Sequence, residues 1–257
     1  MAKSKKPEGR PASPVTTFSQ LSERAHSIEG VPLKDLADYL EYPLRDPSKS
    51  KGYVGNLMQF AFGLRPNSKP LPDLERFRIE IKTIPVDPDL NALENTRLTK
   101  INPSELVLED EWSRSHAFRK VTTILFVPVV KHPRAAARVG GWYSRSPFVW
   151  MPSLDELAIL EEDWKTVRDV YRKGSVTKSA IPGTYMFANT QSRDSSVRER
   201  YKLPTGDEME VQPKAFYLLK PLTTRVLHET ISWKRLLTPT KREGDPVVVA
   251  AEDQAEF

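Results

Sequence analysis

The residues with the clearest potential for chemistry lie close together in the first third of the chain. Pro72 and Asp73 precede Glu80, Ile81 and Lys82. If the last three lie on a strand, residues two apart point to the same face, so the Glu80 carboxylate would lie beside the Lys82 ammonium. A turn after Pro72 could then bring the Asp73 carboxylate next to Glu80. The spacing therefore allows two carboxylates and a lysine at one site.

This arrangement would suit a divalent cation. Asp73 and Glu80 would supply the hard oxygen ligands that Mg²⁺ prefers, and the Ile81 carbonyl and water molecules could complete the site. A bound metal can activate a water nucleophile and stabilise the charge that develops when a phosphodiester is cleaved. Lys82, held protonated by the carboxylates, could contact the scissile phosphate or orient the attacking water.

The same residues also have a simpler interpretation. Arg78, Glu80 and Lys82 alternate along the chain, as the solvated face of an edge strand would, and Asp73 would then be a turn residue. So short a pattern recurs by chance in many proteins. Spacing alone therefore favours the solvated-strand interpretation, and other parts of the chain have to decide.

Several elements would position these residues. Two short amphipathic helices are predicted between Phe18 and Tyr42, and a buried helix is predicted from Tyr53 to Leu64. Gln59 lies on the less apolar side of that buried helix. The alternation of apolar and polar residues from Phe77 to Ile84 predicts a half-buried strand.

The second half of the pattern adds buried strands and a long helix. Val121 to Val130 is almost uniformly apolar, which predicts a central strand buried on both faces. From Ser153 to Lys173 an apolar stripe follows a capping box formed by Ser153 and Glu156, which predicts a helix. Ala215 to Lys220 is predicted to be a late strand. Helices interleaved with strands indicate the α/β class, with a mixed sheet flanked by helices.

Domain organisation follows from length and composition. A chain of 257 residues can bury one substantial core. Residues 1–17 are predicted to be a flexible basic tail, because lysine, proline and serine dominate and little can be buried. Residues 18–237 would form the folded unit, and residues 238–257 a flexible C-terminal tail.

Composition limits the classes of function. Lysine and arginine outnumber aspartate and glutamate by 39 to 34, a balance that favours polyanionic partners without proving one. There are no cysteines, which excludes disulfides, thiolate metal sites and a cysteine nucleophile. No apolar run is long enough to span a membrane, and the N-terminus lacks the apolar segment of a secretory signal. We therefore expect a cytoplasmic protein with no membrane partner.

A series of motifs, in a consistent order, then decides between the two interpretations. The segments are Lys51–Gly55, Glu80–Asp87, Ser115–His116, Phe126–Val129, Ser146–Trp150, Asp163–Trp164 and Phe216–Lys220. Together they resemble the MutH-type DNA mismatch-repair endonucleases and their restriction-endonuclease relatives, in the PD-(D/E)xK nuclease superfamily. The Glu80–Asp87 segment is the most specific. The resemblance implies a restriction-endonuclease-like fold with two subdomains that form a DNA cleft.

The resemblance also implies roles for individual residues. Asp73 and Glu80 would be the metal-binding catalytic carboxylates, Lys82 the catalytic lysine, and Mg²⁺ the cofactor. Lys51 would lie near the DNA backbone at the site, although a solvated lysine before a helix would fit the sequence equally well.

Gln59 is a departure from the family pattern. It occupies the helix position at which the family usually supplies another active-site glutamate. An amide oxygen can coordinate a metal but brings no charge. We therefore expect weaker binding of a second metal and slower cleavage, and a domain that has lost cleavage is the extreme case.

MutH-type enzymes recognise the DNA sequence GATC. The residues of this chain that would read DNA depart from those of such enzymes. Tyr217 matches a family tyrosine near the target adenine, whereas Arg97 stands where an aromatic wedge is often found. Asn189 and Gln191 could pair with adenine, and Arg193 could contact guanine or phosphate. Polar residues in such a loop could equally be solvated. The candidate DNA contacts are Lys51, Arg97, Lys120, Asn189, Gln191, Arg193, Tyr217 and Lys220.

The implied function is a Mg²⁺-dependent, sequence-specific DNA endonuclease that acts as a monomer on double-stranded DNA. The repair version would nick one strand at a GATC-like site and would be activated by MutL-type and MutS-type partners. A restriction endonuclease that cuts both strands at a different short site is the alternative. A DNA-binding module that does not cleave is a further alternative, for which Gln59 is the motive.

Overall fold

The computed structural model describes residues 9–43, 52–66, 70–131, 141–191, 194 and 196–229. Two candidate DNA contacts, Lys51 and Arg193, lie outside the described residues. So do residues 1–8 and the predicted C-terminal tail, 238–257.

The segment before the first helix packs against the helices that follow. In residues 9–17, which the sequence assigned to a flexible tail, the Arg10 N–H donates to the Leu40 carbonyl at 2.8 Å. The packed part of the chain thus begins before Phe18, the boundary that composition suggested. Composition missed it because backbone hydrogen bonds and only two small apolar side chains, Ala12 and Val15, hold the segment against the core.

Helices and strands alternate along the chain. The helices are α1 (Phe18–Ile28), α2 (Leu33–Tyr39), α3 (Tyr53–Ala61), α4 (Pro103–Leu106), α5 (His116–Val121), α6 (Leu154–Arg172) and α7 (Lys220–His228). The strands are β1 (Glu80–Val86), β2 (Thr96–Lys100), β3 (Ile124–Val130), β4 (Tyr143–Ser144), β5 (Phe148–Trp150), β6 (Met186–Thr190), β7 (Glu199–Lys202), β8 (Glu208–Val211) and β9 (Lys214–Leu218). Within the described residues, none of these helices is both long and apolar enough to cross a membrane.

A mixed sheet forms the centre of the fold. Strands β1 and β3 run parallel, with Glu80 opposite Ile124 and Val86 opposite Val130. Strands β4 and β5 pair antiparallel with β3. A second, antiparallel sheet has the order β2-β9-β6, and β7 pairs with β8 as a separate ribbon. The α/β class, with a mixed sheet flanked by helices, is confirmed.

The central strands are buried on both faces because helices cover each side. One face of β1 and β3 packs with α1, α2 and α3 through residues such as Ile81 and Leu125. The other face packs with α5 and α6 through residues such as Ile84 and Phe126. Because side chains alternate along a strand, Glu80 lies on the same face as Ile84. The Glu80 side chain therefore points to the side of the sheet that α5 covers.

The predicted strand Phe77–Ile84 begins three residues later than its alternation suggested. A short 3₁₀ helix ends at Phe77, and Arg78 has a left-handed backbone with φ +55°. Hydrogen bonds between Leu74 and Ile79, at 2.9 and 3.2 Å, close this tight loop. The loop folds the preceding chain back onto the start of β1, which alternation alone could not reveal.

Two other predicted strands are shorter than expected. Every residue of β3 is buried, as predicted for a central strand, but Val121 belongs to α5. Strand β9 ends at Leu218, and Lys220 begins α7. Pro221 explains this second boundary, because proline cannot donate to a strand ladder but suits the first turn of a helix. Helix α6 begins with the predicted capping box at Ser153.

Candidate active site

The loop before β1 places Asp73 beside the first residues of that strand. The Asp73 backbone N–H donates to Glu80 Oε2 at 3.3 Å. In return, the Ile81 N–H donates to Asp73 Oδ2 at 3.0 Å. The structure therefore brings together the two carboxylates and the Ile81 backbone that the sequence spacing proposed as one site.

Glu80 is the centre of a buried ion-pair cluster. Its Oε1 accepts from Lys82 Nζ at 2.6 Å, and its Oε2 accepts from Lys120 Nζ at 2.8 Å. Lys120 also donates to the Leu71 carbonyl at 2.6 Å. The Glu80 side chain is 4% exposed, Lys120 is 8% exposed and Lys82 is 17% exposed. Lys82 is thus the lysine of the pair with more access to solvent.

Lys120 has a partner that the sequence did not predict. The sequence named it as a candidate DNA contact, and in the structure α5 packs on the Glu80 face of β1 and places the ammonium inside the cluster. A signal was available in the sequence. Ala117, Lys120 and Val121 are spaced like the buried stripe of a helix, and all three are buried. A lysine in such a stripe needs a buried partner, here Glu80.

The environment of Asp73 favours a bound cation. Burial raises the pKa of the Asp73 carboxyl, and the neighbouring Glu80 raises it further. Lys82, the Ile81 N–H and Lys120 act in the opposite direction and lower that pKa. An additional positive charge near Asp73 would therefore stabilise the ionised form of its carboxyl.

Gln59 completes the arrangement from α3. Its Nε2 donates to Asp73 Oδ1 at 2.9 Å, so the helix that the sequence singled out does reach the carboxylates. The residue brings a neutral amide to a position where a third carboxylate would be adjacent to Asp73. Within the described residues, no three His, Cys, Asp or Glu side chains converge on one point.

The donor set fits a hard divalent cation. Oxygen ligands are available from Asp73, Glu80 and the Ile81 carbonyl, while the chain has no cysteine that could supply a thiolate. Such oxygen donors, completed by water, are what Mg²⁺ takes in proteins. A cation that binds Glu80 has to compete with the lysines, because both of its carboxylate oxygens already accept hydrogen bonds from them.

The second sheet carries the candidate recognition residues on its outer face. Arg97 on β2 lies opposite Tyr217 on β9, and Tyr217 lies opposite Phe187 on β6. The flanking residues Met186 and Ala188 are fully buried, so Phe187 and its row point away from the core. Burial raises the pKa of the Tyr217 hydroxyl, which keeps it protonated and able to donate a hydrogen bond.

Two of the polar candidates in this sheet, Arg97 and Gln191, are joined by a hydrogen bond. Arg97 Nη2 donates to Gln191 Oε1 at 3.1 Å, and Gln191 Nε2 donates to the Lys214 carbonyl at 3.0 Å. Asn189 Oδ1 accepts from the Thr190 N–H at 2.8 Å. Lys220 stands apart from them, exposed at the first turn of α7. Arg97 is therefore a neighbour of both Tyr217 and Gln191, and Asn189 lies two residues before Gln191. Lys51 and Arg193 fall outside the described residues.

Helix α5 contacts both the ion-pair cluster around Glu80 and the β2-β9-β6 sheet. At its start, His116 Nε2 lies 3.4 Å from Thr99 Oγ1 of β2, and one turn later Lys120 reaches Glu80. Burial lowers the pKa of His116, and the positive charges of Lys120 and Arg119 lower it further, so the ring is neutral at pH 7. The contact of this neutral ring with Thr99 ties the start of α5 to β2.

Asp163 is a positioning residue that sequence reasoning assigned no role. Its buried carboxylate accepts N–H bonds from Thr184, Tyr185 and Met186, at 2.7, 2.7 and 2.8 Å. These bonds fix the start of β6 against α6. Gly183 is required there, because a Cβ would lie 1.9 Å from the Met186 carbonyl oxygen. An acidic residue in the apolar stripe of α6 was the available signal.

Comparison with known proteins supports one family. The family model for the DNA mismatch repair enzyme MutH matches residues 62–163. A DNA mismatch repair protein MutH from Shewanella baltica is 30% identical over 222 residues, which cover 84% of this chain and 96% of that protein. The protein of the same name from Yersinia pseudotuberculosis is 31% identical, over 84% of this chain and 95% of that protein. The one from Vibrio parahaemolyticus is 30% identical, over 81% and 92%.

Proposed function

The chain belongs to the MutH family of DNA mismatch repair endonucleases, and on that premise we propose that it hydrolyses one phosphodiester bond at a short, GATC-like site with Mg²⁺. Members of this family are metal-dependent DNA nucleases. The observation that carries the proposed chemistry is the hydrogen-bonded cluster of Asp73, Glu80 and Lys82 at the start of β1.

We assign the metal to Asp73, Glu80 and the Ile81 carbonyl. When bound, Mg²⁺ would stabilise the charge that develops on the phosphoryl group and lower the pKa of a bound water. The protein's part is to hold the two carboxylates together against their repulsion. The Ile81 N–H and the two lysines, Lys82 and Lys120, do so by binding the carboxylate oxygens.

We assign different roles to the two lysines of the cluster. Lys82, the more accessible one, is assigned to the scissile phosphate or to the attacking water, where a fixed positive charge stabilises the transition state. Lys120 is assigned to orienting Glu80, because its ammonium is held by Glu80 and by the Leu71 carbonyl. Gln59 orients Asp73 through its amide.

The proposed substrate is duplex DNA, read by the outer face of the β2-β9-β6 sheet. Tyr217, Asn189, Gln191 and Arg97 would face base edges, and Lys220 a phosphate, as Lys51 and Arg193 would outside the described residues. The proposed setting is methyl-directed mismatch repair in the cytoplasm, with the protein acting as a monomer activated by MutL-type and MutS-type proteins.

Plasmid cleavage tests this function. Purified protein is incubated with plasmids of known methylation state, with Mg²⁺ or with chelator, and the ends are mapped. Nicks confined to one strand at hemimethylated GATC, and absent with chelator, are expected. Double-strand breaks at another site would identify a restriction enzyme instead. Specific binding without cleavage in Mg²⁺ or Mn²⁺ would refute the endonuclease assignment.

Gln59→Glu is expected to tighten Mg²⁺ binding by about tenfold, because a third carboxylate would join the site beside Asp73. Without metal the added charge repels Asp73, so the variant should unfold more readily in chelator and recover with Mg²⁺. Titration calorimetry and thermal unfolding measure the two effects.

Gln20→Glu provides the matched control for Gln59→Glu. Gln20 is exposed on α1, and the substitution makes the same change of charge away from the carboxylates. Equal gains in Mg²⁺ affinity for both variants would contradict the local role of Gln59.

A further inference from the structure

An aromatic pair marks the outer face of the β2-β9-β6 sheet. The rings of Phe187 and Tyr217 lie with centroids 5.6 Å apart, at an interplanar angle of 38°. The two residues are direct neighbours across the β6-β9 pair. Phe187 is half-buried, although Met186 and Ala188 on either side are fully buried. A phenylalanine therefore presents part of its ring on a face that points away from the core.

The surroundings of Phe187 are polar. Arg97 completes the same row on the far side of Tyr217, and Asn189 follows Phe187 on the same face of β6. Gln191 bridges from Arg97 back to the β9 backbone. The outer face thus offers hydrogen-bonding groups beside an apolar surface made by the two rings.

The groups on DNA base edges suggest what the apolar surface of Phe187 and Tyr217 would contact. In the major groove, every base pair presents donors and acceptors, and the only apolar group among them is the C5-methyl of thymine. The side chains on the outer face of β6 and β9 would meet those groups if this face of the sheet lies against the groove. Directly opposite residues have Cβ atoms about 5 Å apart, so Tyr217 and Phe187 can contact the same base pair.

We infer that Phe187 is a specificity-determining residue that contacts the C5-methyl of a thymine in the recognition site. The inference rests on the proposed function, in which this sheet reads duplex DNA. It deepens that function because it assigns an A·T pair to a particular position. Tyr217 supplies the hydrogen-bonding group of the pair of rings, and Phe187 supplies the methyl contact.

A comparison of two proteins and two duplexes tests the contact. The duplex carries the site mapped by plasmid cleavage, with thymine or with uracil at each thymine position, which removes the methyl and keeps the base pairing. The protein has Phe187 or Phe187→Ala. Loss of one buried methyl group should lower kcat/KM about fourfold. Phe187→Ala should cause a similar loss on the thymine duplex and no further loss on the uracil duplex.

Controls separate a methyl contact from a packing role. Phe187→Leu should retain part of the dependence on the methyl group, because an apolar side chain remains. Tyr39→Ala removes an exposed aromatic residue of α2 and should change neither duplex's cleavage. If Phe187→Ala lowers cleavage of both duplexes equally, the ring only orients Tyr217 or wedges between bases, and the inference is wrong. A mapped site that lacks an A·T pair also overturns it.

A binding measurement distinguishes failure of the inference from failure of the proposed function. The same comparison is repeated for DNA affinity in a Lys82→Ala background, with duplexes that carry the mapped site or, if the parent protein does not cleave, GATC. If the effect of Phe187→Ala on DNA affinity depends on the methyl group, and the parent protein does not cleave, the contact is supported and the proposed chemistry is refuted. Cleavage at a mapped site without coupling refutes the contact alone. No specific binding or cleavage refutes both.

Discussion

Glu80→Gln is expected to abolish cleavage and to lower the free energy of unfolding by about 3 kcal/mol in chelator. The Glu80 carboxylate holds the ammonium groups of Lys82 and Lys120, and Lys120 is 8% exposed. Removing the negative charge leaves the buried Lys120 ammonium beside the Leu71 carbonyl and a neutral amide. Urea unfolding at neutral pH measures the loss of stability, and plasmid nicking with Mg²⁺ measures the loss of activity.

A second substitution isolates the cause of this loss. In Glu80→Gln with Lys120→Met, the buried charge is removed together with its partner, so the double variant should be more stable than Glu80→Gln alone. It should remain inactive, because the carboxylate is still absent. Glu208→Gln is the surface control. Glu208 and Lys202 are 3.8 Å apart and 72% exposed, so their separation should cost little. A double variant less stable than the single one would contradict the buried-pair explanation.

Lys82→Ala is expected to reduce cleavage on the order of a thousandfold while DNA affinity changes little. Lys82 contributes a positive charge at the carboxylates, and its loss removes an interaction that matters most as charge develops on the phosphate. Single-turnover cleavage and equilibrium binding at the same salt concentration separate the two effects.

Two variants provide a comparison for Lys82→Ala. Lys220→Ala should show the opposite pattern, with weaker binding and a smaller salt dependence, because Lys220 is assigned to a phosphate rather than to the reaction. Lys202→Ala, on the exposed face of β7, removes a lysine of the same charge and should change neither quantity. Unchanged cleavage in Lys82→Ala would remove the catalytic assignment.

Sequence reasoning predicted the parts of the fold that depend on periodicity. The uniformly apolar run that became β3 and the capping box of α6 both have local causes, and both were found. The start of β1 was placed too early, because the left-handed turn at Arg78 arises from pairing between Leu74 and Ile79. Such pairing depends on contacts that a period of two cannot encode.

In the candidate site, too, the residues close together in the chain were predicted and the distant partners were not. Asp73, Glu80 and Lys82 could be named from spacing and family motifs, because they lie within ten residues of one another. Lys120 was named only as a candidate DNA contact, and its pairing with Glu80 was not predicted, since the two residues are 40 apart in the chain. Asp163 binds backbone groups 21 to 23 residues away and was given no role for the same reason.

The sequence by itself determined which residues could do chemistry and which elements would carry them, because residue type and periodicity act over a few neighbours. Only the tertiary structure decided the charge balance around Asp73 and Glu80. That balance depends on α5, which brings Lys120 to Glu80, and on α3, which brings Gln59 to Asp73. Distances between side chains far apart in the chain follow from how helices pack on a sheet, and packing is a property of the whole fold.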